Sequence, residues 1–239
     1  MLRNIENLKG YDVRANDGTI GKAEDFYFED SAWTLRYLVV DIGGWLSGRK
    51  VLISPVALKQ PDWDNEVFPV SLTKDQIERS PGVDMSEPIS REYEAELYRH
   101  YEWPLYWDYG PIQEEAARLE KQKAMHLRSA EEVMGYRVKA IEGELGPLLD
   151  FIVDYETWII RYLVISTRYI IEHARDLIHG KKVLISPEWT EVSWAESEVH
   201  VDFPIDIVKD GPEYDADVPL NRDFEEIIYD YYNRPKYWE

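Results

Sequence analysis

The chain has no cysteine, which excludes disulfides, thiolate metal centres and thiol nucleophiles. It is poor in positive charge: 27 Lys and Arg stand against 47 Asp and Glu, a formal net charge of -20. That field repels phosphate backbones and anionic lipid, so neither a nucleic-acid partner nor a membrane surface is expected. No apolar run approaches the roughly 20 residues of a spanning helix, so no membrane insertion is expected either. The opening Met1-Leu2-Arg3-Asn4-Ile5-Glu6 lacks the apolar centre of a secretory leader, and a soluble, cytoplasmic protein is the expectation. Also missing are a Gly-rich phosphate loop, a nucleophile elbow and a Ser-His-Asp order. His173 and His179 stand six apart, not at the i, i+4 spacing of helical metal ligands. Asp62, Asp64 and Glu66 alternate like the start of a calcium loop, but Val67 stands where that loop needs Gly. No catalytic residue, metal or cofactor is therefore expected, and the chain does not read as an enzyme.

What is present is a pattern that occurs twice. Arg36-Tyr37-Leu38-Val39-Val40 precedes Lys50-Val51-Leu52-Ile53-Ser54-Pro55, and Arg161-Tyr162-Leu163-Val164-Ile165 precedes Lys182-Val183-Leu184-Ile185-Ser186-Pro187. Gly10-Tyr11, Gly18, Gly21, Asp25-Phe26 and Trp33 recur 125 positions later. The offset then grows to 132, which puts seven extra residues into one loop of the second copy. Towards the end of each copy it settles at 131, where Arg91 matches Arg222 and Tyr106-Trp107 matches Tyr237-Trp238. The chain thus divides into residues 1–110, a charged linker 111–126, and residues 127–239.

Each copy reads as short strands closed by turns. Asn16-Asp17-Gly18 is a turn triplet. Gly21 marks a bulge or a close backbone approach. Pro69 argues for an edge strand. Thr73 is a helix N-cap ahead of Lys74-Asp75-Gln76-Ile77-Glu78. Short strands without long helices between them argue for a mainly β chain: two tandem small antiparallel barrels, each followed by a short helix and an aromatic tail.

The order Gly-Tyr, Gly, Gly, Asp-Phe, Arg-Tyr-Leu-Val, Lys-Val-Leu-Ile-Ser-Pro resembles the PRC-barrel family, over about residues 3–80 and again over 128–210. That family includes the cytoplasmic end of the photosynthetic reaction centre H subunit and the end domain of the ribosome maturation factor. The resemblance implies a six-stranded barrel used for assembly and interaction, with no catalytic residues to carry over. A role in photosynthetic electron transfer like that of the H subunit is an alternative it implies, although this chain has no membrane helix.

The candidate functional residues fall in three groups. The aromatic tails offer Tyr98, Tyr101, Trp107, Tyr229, Tyr232 and Trp238, either as packing or as an interaction face. In the extra loop, Ile170 and Leu177 share one face of a helical pattern that spans residues 167–178, either packed on its own barrel or docking a partner. Arg36 and Arg161 are expected to form structural ion pairs with Asp25 and Asp150. The leading expectation is a non-enzymatic interaction or assembly scaffold for an unknown protein partner, with a homo-oligomer left open. The alternative is a small-ligand or metal-binding protein with its site between the barrels.

Overall fold

The structure is a computed structural model, and it describes residues 1–43, 48–107, 127–167 and 181–239. The linker 111–126, Ile170, Leu177, His173 and His179 lie outside the described residues. No helix among the described residues is long and apolar enough to cross a membrane. The chain is mainly β and forms two compact units, Leu8–Ser129 and Met1–Asn7 joined with Ala130–Glu239.

The second unit therefore begins with a strand from the front of the chain, β1 (Leu2–Asn4). The first unit contains β2 (Asp12–Ala15), β3 (Gly18–Glu29), β4 (Thr34–Asp41), β5 (Lys50–Ile53), β6 (Val67–Pro69) and β7 (Leu127–Ser129). Its order is β5-β4-β3-β2-β6, with β7 on the far end of β3. The pairings are antiparallel except β2 with β6, which is parallel, so an all-antiparallel barrel is corrected at this one seam. Pro69 closes the edge strand β6, where its missing N–H costs no ladder bond. Gly21 is required by close approach: a Cβ there would stand 2.1 Å from the Asp41 carbonyl oxygen. Thr73 caps α1 (Lys74–Glu78) with Gln76 reaching back in a capping box. Ser90 caps α2 (Arg91–Tyr101).

The second unit repeats the plan with α3 (Ala130–Val133), β8 (Arg137–Ile141), β9 (Gly143–Asp154), β10 (Ile159–Ser166), β11 (Lys182–Ile185), β12 (Thr190–Ser193) and β13 (Glu198–Pro204). Helices α4 (Ile205–Asp210) and α5 (Arg222–Tyr232) follow. Again one seam is parallel, β13 with β8.

The repeat places β1 in the first half and β7 in the second, but each pairs in the other unit. Leu2, Arg3 and Asn4 face Asp154, Val153 and Ile152. Leu127, Arg128 and Ser129 face Glu29, Phe28 and Tyr27. Every one of these pairs matches its counterpart at an offset of 125, so the two units trade equivalent strands in the same register. The compact units thus differ from the contiguous halves 1–110 and 127–239 that the repeat suggests.

The cores are packed from the repeated runs. Tyr37, Leu38, Val39 and Val40 are at most 1% exposed, and Tyr162, Leu163, Val164 and Ile165 at most 2%. The uninterrupted runs predict this burial on both faces of the strand.

Candidate functional site

Arg36 and Arg161 sit at matching β-bulges. Leu35 faces Phe28 and Tyr37 faces Tyr27, which leaves Arg36 as the extra residue. Ile160 faces Val153 and Tyr162 faces Ile152, which leaves Arg161 extra in the same way. A bulge re-aims the side chain it carries. Arg36 reaches Glu29, with Nε donating at 2.9 Å and Nη2 also in contact, and not Asp25. Arg161 lies 4.0 Å from Asp154, not on Asp150. Both expected ion pairs are corrected: the carboxylate lies four residues further along the strand, and 29 and 154 are themselves matched positions.

Asp25 and Asp150 instead hold the exchanged strands. Ser129 on β7 donates its hydroxyl to Asp25 Oδ2. Asn4 on β1 donates to Asp150 Oδ2 at 2.9 Å, and Asp150 Oδ1 accepts from the Glu6 and Phe151 amides at 3.2 and 2.7 Å. Asn4 also accepts from the Tyr214 hydroxyl at 2.7 Å. Burial pushes the Asp150 carboxyl above its usual range, and pushes the Tyr214 phenol up to about 12.

The aromatic tails close over a buried carboxylate that sequence reasoning passed over. Glu94 on α2 is fully buried. Its Oε1 accepts from Tyr37 at 2.7 Å and from Tyr106 at 2.9 Å, and Arg91 donates to its Oε2 at 3.2 Å. The Arg36 guanidinium stacks 4.2 Å over the Tyr106 ring, and Arg91 lies 4.7 Å over Trp107. The second unit repeats the set. Glu225 Oε1 accepts from Tyr162 and Tyr237, both at 2.9 Å, with Arg222 3.1 Å from Oε2. Arg161 covers Tyr237 at 4.1 Å, and Arg222 covers Trp238 at 4.1 Å. Burial, and then the adjacent Glu94 or Glu225, drives the Tyr37 and Tyr162 phenols far above their ordinary value.

Tyr98, Tyr101, Tyr229 and Tyr232 are all buried, while Trp107 and Trp238 are half-buried. Tyr98 packs edge-on to Tyr37, Trp103 and Trp107, and Tyr229 to Tyr162 and Trp238. Of these six, the two half-buried indoles, not the four tyrosines, are the ones that water reaches.

One surface breaks the duplication. In the second unit a groove of about 330 Å³ runs between residues 213–221 and the first turns of α5. Val218, Pro219, Leu220, Phe224 and Ile227 form its apolar lining, and Glu213, Asp215 and Asp223 stand among the lining residues without any basic one. Val218 is 57% exposed and Ile227 is 54% exposed. The positions 131 earlier are Glu87 and Glu96, both exposed, so the first copy carries charge where the second carries aliphatic side chains. A smaller cavity of about 150 Å³ adjoins it across Tyr214, Val218, Pro219 and Leu220, and includes Arg3 and Asn4.

Glu196, Glu198 and His200 gather ligand atoms within 4.8 Å of one another. Glu198, however, already pairs with Lys139 at 2.7 Å and with Arg137. The Lys139 hydrogen bond holds its carboxyl below the usual range. Two cations on the central carboxylate oppose a third, so the cluster reads as an ion-pair network.

Residues 2–77 match the family model for the PRC-barrel domain. The matched stretch runs from β1 to α1, so it takes in a strand that here belongs to the second unit. A protein of Deinococcus radiodurans, described as uncharacterized, is 42% identical over 83 residues. That stretch is 34% of this chain, and the chain spans only 28% of the relative's length.

Proposed function

We propose that the chain is a non-enzymatic tandem PRC-barrel protein in which both copies form the same kind of barrel and the second serves as a docking module for a protein partner. The equal strand register and the equal carboxylate clamps support a second barrel outside the matched residues 2–77. The observation that carries the docking role is the groove around Val218 and Ile227. Duplicated features are accounted for by cohesion, since both barrels need them. The exposed aliphatic side chains of Val218 and Ile227, which stand where the first copy carries Glu87 and Glu96, have no such structural use, and contiguous exposed apolar surface commonly marks an interaction site.

The test is affinity capture from the source cells with the wild-type chain and with V218E/I227E, which installs the charge the first copy already carries. A stoichiometric partner held by the wild type and lost by the variant, at equal melting temperature, is the expected result. A partner held equally by both overturns the docking role of this surface. A small-molecule reading is favoured by one observation, the groove's volume, which lies at the low end of ligand sites. A ligand panel read by thermal shift separates the two, because a ligand that binds only the folded state raises the melting temperature.

A further inference from the structure

We infer that the occupant of this groove is an amphipathic segment of a partner protein, apolar on one face and flanked by Lys or Arg. The inference rests on the docking role just proposed and adds the chemistry of what docks. The floor offers aliphatic and aromatic contact through Val218, Leu220, Phe224 and Ile227. The groove's own lining offers only negative charge, from the exposed Glu213, Asp215 and Asp223; in the adjoining cavity the exposed Asp217 stands with the half-buried Arg3. An apolar floor with an acidic edge complements a peptide that buries its apolar face while its cations stay at the solvent-exposed margin.

The alternatives fit less well. A second copy of a chain carrying a net charge of -20 would bring acidic edges together. An acidic peptide meets the same repulsion. A small polar ligand would leave the exposed aliphatic side chains unused. Of the acidic lining residues, Asp215 and Asp223 have acidic counterparts in the first copy, Asp84 and Glu92, whereas Glu213 replaces Gly82. The second copy has therefore gained two aliphatic side chains of the floor, Val218 and Ile227, and a further carboxylate, while Leu220 and Phe224 match Ile89 and Tyr93 of the first copy.

The test is fluorescence anisotropy on the full chain with labelled synthetic peptides of equal length: Leu/Lys, Leu/Glu, Leu/Ser and Lys/Ser. Leu/Lys is expected to bind, and added salt to weaken it. V218E/I227E should abolish binding, and E213Q/D223N should weaken it about five-fold through the loss of two exposed charge pairs. All four positions are exposed, so both variants should keep the wild-type melting curve. Leu/Ser or Leu/Glu binding as tightly as Leu/Lys, or insensitivity to E213Q/D223N, overturns the cationic assignment. Should Leu/Lys fail to bind while V218E/I227E still releases the cellular partner, this inference falls and the docking role stands. Should the variant also keep that partner, both fall.

Discussion

Removing the Glu94 carboxylate should destabilise the first unit far more than an ordinary surface change. The Tyr37 hydroxyl is buried with Glu94 as its hydrogen-bond acceptor. In Glu94→Ala that donor is stranded, which costs about 1–3 kcal/mol. Tyr106 loses its bond to the same oxygen, about 1 kcal/mol more, although it still accepts from Arg91 at 2.8 Å. Arg91 is a quarter exposed and can turn to water, so its share is small. The sum is about 3 kcal/mol, which for a chain of this size lowers the melting temperature by about 6–12 °C. Glu94→Gln keeps an acceptor oxygen for Tyr37 and should cost only about 1 kcal/mol. The decisive measurement is the double-mutant cycle with Tyr37→Phe. Once the acceptor is gone the hydroxyl is a liability, so Tyr37→Phe should be at least 1 kcal/mol less harmful in the Glu94→Ala background than in the wild type. Thermal and urea melts followed by circular dichroism give all four corners. Simple additivity would refute the idea that one carboxylate organises this cluster.

Glu225→Ala should reproduce the effect in the second unit, and hydrogen exchange should place the loss of protection in residues 130–239. Asn4→Ala takes the donor from Asp150 and the acceptor from the buried Tyr214 hydroxyl; a cost of about 2 kcal/mol is expected. Exchange should again rise in residues 130–239, and a rise confined to 8–107 would contradict the strand assignment. Gly21→Ala forces a Cβ onto the Asp41 carbonyl and should separate β3 from β4, read as loss of soluble, cooperatively melting protein. Phenols raised by burial give stability that is complete below about pH 10 and lost as pH climbs through their folded values. Tyr101 and Tyr229 sit at about 12, and Tyr37 and Tyr162 lie higher still. Tyrosinate absorbance at about pH 11 should therefore report only part of the 17 tyrosines until denaturant is added. Full ionisation of the folded protein near pH 10 would contradict the buried clusters.

Local chemistry made much of the fold legible. Thr73 with Gln76, Pro69 and Gly21 each act through a few neighbouring atoms, and each does in the structure what its chemistry requires. The partners of Arg36 and Arg161 were illegible because a bulge sets them, and a bulge has no residue signature here; Asp25 and Glu29 share one strand, and only the register chooses between them. The strand exchange was hidden for another reason. Leu2-Arg3-Asn4 and Leu127-Arg128-Ser129 are near-equivalent, so either suits either barrel, and matching at an offset of 125 cannot say which one it joins. Glu94 looked like any acidic helix residue beside Glu92 and Glu96. The signal that would have singled it out was its return as Glu225 together with Arg222 and Tyr237, while Glu96 came back as Ile227. Read in reverse, that same comparison exposes the groove: positions that fail to repeat are the ones free of the barrel's own needs.

The traded strands impose an order on synthesis. The first barrel cannot be completed until Ser129 has left the ribosome, and residues 2–4 emerge long before β9, the strand that receives them. In the interval the nascent chain carries an unfilled slot beside β3 and a loose strand of almost the right shape. An expression truncation made at the repeat boundary would leave Leu2–Asn4 as the candidate for the slot beside β3 that Leu127–Ser129 fills in the whole chain, so a half prepared that way is not a faithful copy of the same residues in the full protein.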